Sequence, residues 1–241
     1  MSGHSKWATT HRQKAIVDAK RGAIFTKIGN QIAIAARGGT DPATNSALAM
    51  AIEKAKAANM PNANIQRAID RVNDKNAAAL EEVTYEAYGP GGVGIIVEAA
   101  TDNKNRTYPE IRTALTKNGG TMADAGSVMF QFTRKGVIRV AATGEDALLQ
   151  VLDAGAEDAV EESGGLTVYT DMKDLAKVRA ALVQAGLNVE DAELQYVANN
   201  DVPVGDIETA RKLMKVLDAV EELDDVTNVH TNADITVDIE E

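Results

Sequence analysis

The chain has no cysteine, one tryptophan, three phenylalanines and five prolines in 241 residues. Without cysteine there is no disulfide, no thiolate zinc site and no cysteine nucleophile, and the composition suits a reducing compartment. Aromatic residues make up only 4%, so the cores must be built from Ala, Val, Ile and Leu. A row of rings on which single-stranded bases could stack is missing as well. No stretch approaches the roughly 18 uninterrupted apolar residues of a membrane span, and the first residues lack the apolar core of a secretory signal. The expectation is a cytoplasmic protein with no membrane partner.

What the chain does have is charge, unevenly placed. Residues 1–75 carry 12 basic and 5 acidic side chains, residues 76–139 carry 7 of each, and residues 140–241 carry 6 and 24, which gives the net charge of −11. A basic head on an acidic body points to a polyanion held at one end only. The length favours two or three small domains over one large core.

Apolar residues at helical spacing run from about residue 10 to 75: Ile24, Ile28 and Ile32, then Leu48, Ile52 and Ala55, then Ile65, Ile69 and Val72. Asp41-Pro42 and Pro61 read as helix starts, and Arg37-Gly38-Gly39 as a helix end. From Val83 the texture changes to strands on either side of Gly89-Pro90-Gly91-Gly92, followed by a helix over 105–117 and a strand around Val128 to Phe132. Residues 137–198 give the βαββαβ order of a ferredoxin-like unit. A helix from Ile207 to Leu223 and a strand from Val226 to Val229 then supply what the middle region lacks. The expected class is α+β, with a basic helical domain at 1–76, a discontinuous middle domain at 77–133 and 206–241, and an acidic ferredoxin-like domain at 134–205 inserted into it.

Enzyme signals do not survive their context. Gly89-x-Gly91-x-x-Gly94 matches a dinucleotide fingerprint in letters, but that motif needs a helix directly after the glycines, and Val93 to Ala100 is β-branched and strand-like. His4, His11 and His230 have no ligand spacing around them. The paired acids Glu161-Glu162, Glu221-Glu222, Asp224-Asp225 and Glu240-Glu241 diverge from one another on a helix or strand and are expected on solvated faces and loops. No catalytic residue, cofactor or metal is expected.

The basic head does have geometry. Lys14 and Arg21, and likewise Lys20 and Lys27, stand seven apart and so fall along one side of a helix, with Lys6 and Arg12 on the approach to it. These six residues are the candidate nucleic-acid contacts. Trp7 reads as a core anchor or a stacking residue.

The opening Gly3-His4-Ser5-Lys6-Trp7 resembles the start of the YebC-like family. The likeness continues through Asp18–Gly22, Ile24–Lys27, Ala35–Arg37, Gly39–Pro42, Ala57–Pro61, Tyr88–Gly92, Thr101–Thr107, Lys117–Gly120 and Leu223–Val226. That family holds bacterial regulators of gene expression and a mitochondrial translational activator of cytochrome c oxidase. The resemblance implies a bacterial protein with a helical amino-terminal domain and two α+β domains. It also implies a non-enzymatic role either on the ribosome or ribosomal RNA as a translational activator, or on promoter DNA as a transcriptional regulator. The sequence departs from the family pattern at Thr9–Lys14, Asn30-Gln31 and Asn62. A protein partner for the acidic domain is a further expectation.

Overall fold

The computed structural model describes residues 21–74, 78–162 and 164–237. Its first elements are the helices α1 (Arg21–Ala35), α2 (Ser46–Ala57) and α3 (Asn62–Asp70). They close on one another through Ile28, Ile32, Leu48, Ala55, Ile65 and Ile69, six of the nine positions picked out by helical spacing; Ile24 and Ile52 are partly buried against them, and Val72, past the end of α3, is exposed. Asp41 does not cap α2. Its carboxylate accepts the Ala43 N–H at 2.9 Å in a turn ahead of the helix, and the cap is Asn45, whose Oδ1 accepts the Leu48 N–H at 3.1 Å. The Asn45 amide also donates to the carbonyls of Ala35 and Gly39 at 2.8 and 2.7 Å, so one side chain starts α2 and ties it to the end of α1. Pro61 likewise stands one residue before α3, at its cap, and not at its first position.

Then come β1 (Glu81–Tyr88), β2 (Gly94–Thr101), α4 (Lys104–Asn118) and β3 (Thr121–Met122). They are followed by β4 (Phe132–Val140), α5 (Glu145–Asp153), β5 (Asp158–Glu162), β6 (Gly165–Thr170), α6 (Leu175–Gln184) and β7 (Val189–Ala198). The last described elements are β8 (Val202–Val204), α7 (Ile207–Glu221), β9 (Val226–Thr231) and β10 (Ala233–Ile235).

Two compact units result, one of residues 133–197 and one of the remainder. In the smaller, the sheet order β5-β6-β4-β7 completes the ferredoxin-like pattern, with β4 and β5 each antiparallel to β6. In the larger, the order is β3-β1-β2-β9, so the strand beside β2 comes from the far end of the chain. Residues 198–205, read from the sequence as the end of the insert, fall in the larger unit, where β8 pairs in parallel with β10. The described helices of the basic head fall in the larger unit. The core of the larger unit joins Ile95 and Val97 of β2, Ile111 and Leu115 of α4, and Leu213, Val216, Leu217 and Val220 of α7.

The strand expected around Val128 to Phe132 is a short turn of helix over Met129–Gln131, and β4 starts only at Phe132. The reason is Glu86. Its buried carboxylate accepts the N–H groups of Gly126, Val128 and Met129 at 2.5, 2.6 and 2.8 Å, which takes them out of any ladder. Burial alone would raise the pKa of Glu86, but these three hydrogen bonds outweigh it and hold the group below its ordinary value.

Candidate nucleic-acid interface

Of the six basic residues picked out by the sequence, Lys6, Arg12, Lys14 and Lys20 lie outside the described residues, as do His4, Trp7 and His11. Arg21 opens α1. Lys27 is half-buried, and its ammonium donates to the carbonyl of Glu221, the last residue of α7. A cation set against the negative end of a helix is stabilising, so Lys27 fastens α1 to the outer layer of the sheet. Arg37 makes a comparable link, donating to the Leu80 carbonyl at 2.8 Å.

The second helical feature is the pair α2 and α3, joined by residues 58–61 with Asn59 in the left-handed region at φ 58°. The sequence showed no clear helix-turn-helix, yet the spacing is that of two helices joined by a tight turn. On α3, Asn62, Gln66 and Arg67 are exposed. Two of them are engaged along their own helix, Gln66 donating to Asp70 at 2.8 Å and Arg67 to Asn64 at 3.5 Å.

Two of the strings that carry the family likeness, Thr101–Thr107 and Leu223–Val226, meet at one end of the sheet. Asn103 caps α4, its Oδ1 accepting the N–H groups of Asn105 and Arg106 at 3.1 and 3.3 Å. Arg106, on the first turn, reaches Asp225 at 2.7 Å and Asp102 at 3.2 Å. The hydroxyls of Thr107 and Thr101 donate to the same Asp225 carboxylate at 2.6 and 3.1 Å. Arg71 approaches Asp102 at 3.8 Å, and Lys104 pairs with Glu81 at 2.6 Å. This corrects the reading of the paired acids as solvated, since the Asp225 side chain is only 13% exposed and saturated with donors. Glu162 departs from that reading too, lying 12% exposed beside Arg139. The signal for Asp225 was present in the two strings, but nothing in a linear sequence shows that they touch.

The glycine string behaves as a turn. Gly91 and Gly92 have φ of 81° and 76°, and Gly94 begins β2, so a strand occupies the place where a dinucleotide site requires a helix. His230 is buried near the end of β9, with Nε2 at 2.9 Å from Glu98. Among the described residues no group of three His, Asp or Glu is arranged to hold a metal ion, and no helix is long and apolar enough to cross a membrane.

Comparison with known proteins covers nearly the whole chain. The TACO1/YebC protein N-terminal domain matches residues 5–75, and the TACO1/YebC second and third domain matches residues 80–233. A probable transcriptional regulatory protein of Parafrankia sp. is 49% identical over 100% of this chain and 98% of its own length. One from Salinispora tropica is 50% identical over 97% and 96%. Among solved structures, a conserved hypothetical protein from Aquifex aeolicus superposes with a TM-score of 0.89 at 41% identity, covering 95% of this chain and 96% of that one.

Proposed function

The chain belongs to the TACO1/YebC family, and on that premise we propose that it is a non-enzymatic regulator of gene expression that holds RNA through its basic amino-terminal region and activates translation on the ribosome. The observation that carries this reading is the charge map. Seven of the first 37 residues are Lys or Arg against the single acid Asp18, in a chain whose net charge is −11. Such a run of cations releases counterions from phosphates without reading sequence. A large folded RNA, recognised through backbone, 2′-hydroxyl and shape, suits it better than a short duplex.

A second reading, a DNA-binding transcriptional regulator, draws support from the names of the relatives and from α3. Asn, Gln and Arg are the side chains that pair with base edges in the major groove, and Asn62, Gln66 and Arg67 are exposed on a helix that follows a tight turn. We favour RNA because the basic residues gather ahead of α3, and the Gln66 and Arg67 side chains are turned to Asp70 and Asn64.

Titrating the protein against purified ribosomes and against promoter and scrambled duplexes at one fixed salt concentration separates the readings. Co-sedimentation with ribosomes that declines as salt rises, with weak and sequence-indifferent duplex binding, is the expected result. A promoter preferred over its scrambled version by about a thousandfold, with no ribosome binding, would replace this reading by the transcriptional one.

A further inference from the structure

The acidic body of the chain is not acidic everywhere. Residues 140–241 contain six basic side chains, and three of them, Arg211, Lys212 and Lys215, fall within five positions of α7. All three are exposed. Helix α7 lies beside α4 over the sheet: Leu115 and Val216 both border Gly120, and the buried sides of the two helices share one core. The ends are fixed as well, because Gly119 at the end of α4 comes close to Pro90, and Thr209 near the start of α7 comes close to Gly91. The exposed side of α4 carries Arg112 and Lys117 toward the same end.

Two acids at the start of α7 are already engaged. Glu208 pairs with Lys212 at 2.7 Å, and Asp206 caps α7 by accepting the Thr209 N–H at 2.8 Å. Glu110 stands nearer the far end of α4, and Asp218 is half-buried on α7. Arg112, Lys117 and Lys215 make no ion pair with any described residue. Exposed threonines, Thr113 and Thr116, stand between Arg112 and Lys117, their hydroxyls donating to the carbonyls of Pro109 and Arg112 at 2.7 and 2.8 Å.

We propose that the outer side of α4 and α7 is a second phosphate-binding surface, and that it takes the backbone of the same structured RNA as the basic head. The inference rests on the RNA reading and extends it. Cations spread over two rigid helices match the spaced phosphates of a folded RNA and carry no device for reading bases. Two separate attachments to one RNA also give a longer footprint than the head alone provides, and with it avidity.

The test compares the full-length chain with a variant carrying Arg112→Glu, Lys117→Glu and Lys215→Glu, using a fluorescent ribosomal RNA fragment titrated over a range of salt. With three phosphates no longer neutralised, the slope of log affinity against log salt should fall by about 2 to 3 and binding should weaken at least tenfold, with an unchanged circular dichroism spectrum. The milder Lys117→Gln and Lys215→Gln pair should show a smaller effect in the same direction, which keeps the test open if the charge reversals fail to fold. An unchanged slope in a folded variant, with wild type still binding, overturns this surface alone. No RNA binding by wild type at any salt overturns the RNA reading itself and this surface with it. Displacement of the RNA by polyglutamate at equal charge would assign the surface to an acidic protein and overturn the proposal. A variant that no longer binds duplex DNA but keeps RNA would overturn it as well.

Discussion

Arg106 and Asp225 are 119 residues apart in sequence, yet a single Nη2 of the arginine lies 2.9 and 2.7 Å from the two carboxylate oxygens of the aspartate. The pair binds the first turn of α4 to the entry of β9, and Thr101 and Thr107 complete it from the same side. Burial alone would raise the pKa of Asp225. The hydrogen bonds from Thr107 and Arg106, the charge of Arg106 and the hydrogen bond from Thr101 outweigh that and hold it below its ordinary value.

Because its folded pKa is depressed, Asp225 stabilises the fold above its unfolded value, and that contribution disappears as pH falls through the folded one. Asp225→Asn should therefore flatten the acid side of a stability-pH profile below about pH 5. Near neutrality it should cost about 1.5 kcal/mol, the scale of a charged hydrogen bond partly open to water. Urea unfolding midpoints from pH 3 to 7 check both. A variant whose profile parallels wild type would deny Asp225 this role.

Glu86→Gln should loosen the segment from Asp124 to Gln131. A neutral amide accepts at only one atom and presents N–H groups where the carboxylate met three backbone donors at 2.5, 2.6 and 2.8 Å. The cost should be about 2 to 3 kcal/mol. Hydrogen exchange at Gly126, Val128 and Met129 should accelerate first. Uniform protection in the variant would show that the segment is held by something else.

Gly91→Val should destabilise the larger unit by about 1 to 3 kcal/mol, because a β-branched residue disfavours φ of 81° and its Cβ would lie 3.2 Å from the Thr209 methyl. The readout is the thermal midpoint, measured with and without adenine nucleotides. Midpoints that rise with nucleotide in wild type only would revive the dinucleotide reading.

The basic residues of the head should separate into two kinds. Lys27→Met removes the ammonium at the last carbonyl of α7 and should lower stability by about 1 kcal/mol. Reversing Lys14, Lys20 and Arg21 together should leave the unfolding midpoint in place and reduce the salt slope of RNA binding by about 0.7 to 0.9 for each phosphate no longer neutralised. If all four behave alike in both assays, the division between fastening and binding is wrong.

The elements were legible where local chemistry decides them. Ile28, Ile32, Leu48, Ile65 and Ile69 are spaced for a shared helical core and are buried together. The βαββαβ order of the acidic unit yields the expected sheet, and the glycine turn has the positive φ values its residues suggested. What stayed hidden depends on partners distant in sequence. The cap of α2 passed from Asp41 to Asn45 because only Asn45, having both an acceptor and a donor, also reaches the carbonyls of Ala35 and Gly39. The strand expected after Val128 gave way to a carboxylate forty residues upstream, at Glu86. Lys27 looked like surface by its charge and its seven-residue spacing, and only the position of the Glu221 carbonyl, 194 residues away, shows its other use.

Where the smaller unit leaves and rejoins the larger one, the Asn199 N–H donates to the Gln131 carbonyl at 2.8 Å and the Asn199 amide donates to the Phe130 carbonyl at 3.3 Å. The exit and return points thus stand side by side, while β2 waits for a strand that begins only at Val226. During synthesis, residues 133–197 can complete their own sheet as soon as they emerge. The sheet around them cannot close until β9 is made, and its edge at β2 is left open in the meantime. The guest domain can therefore fold before the sheet of its host closes, so a ribosome that stalls before Val226 would leave a finished insert tethered to an unfinished sheet.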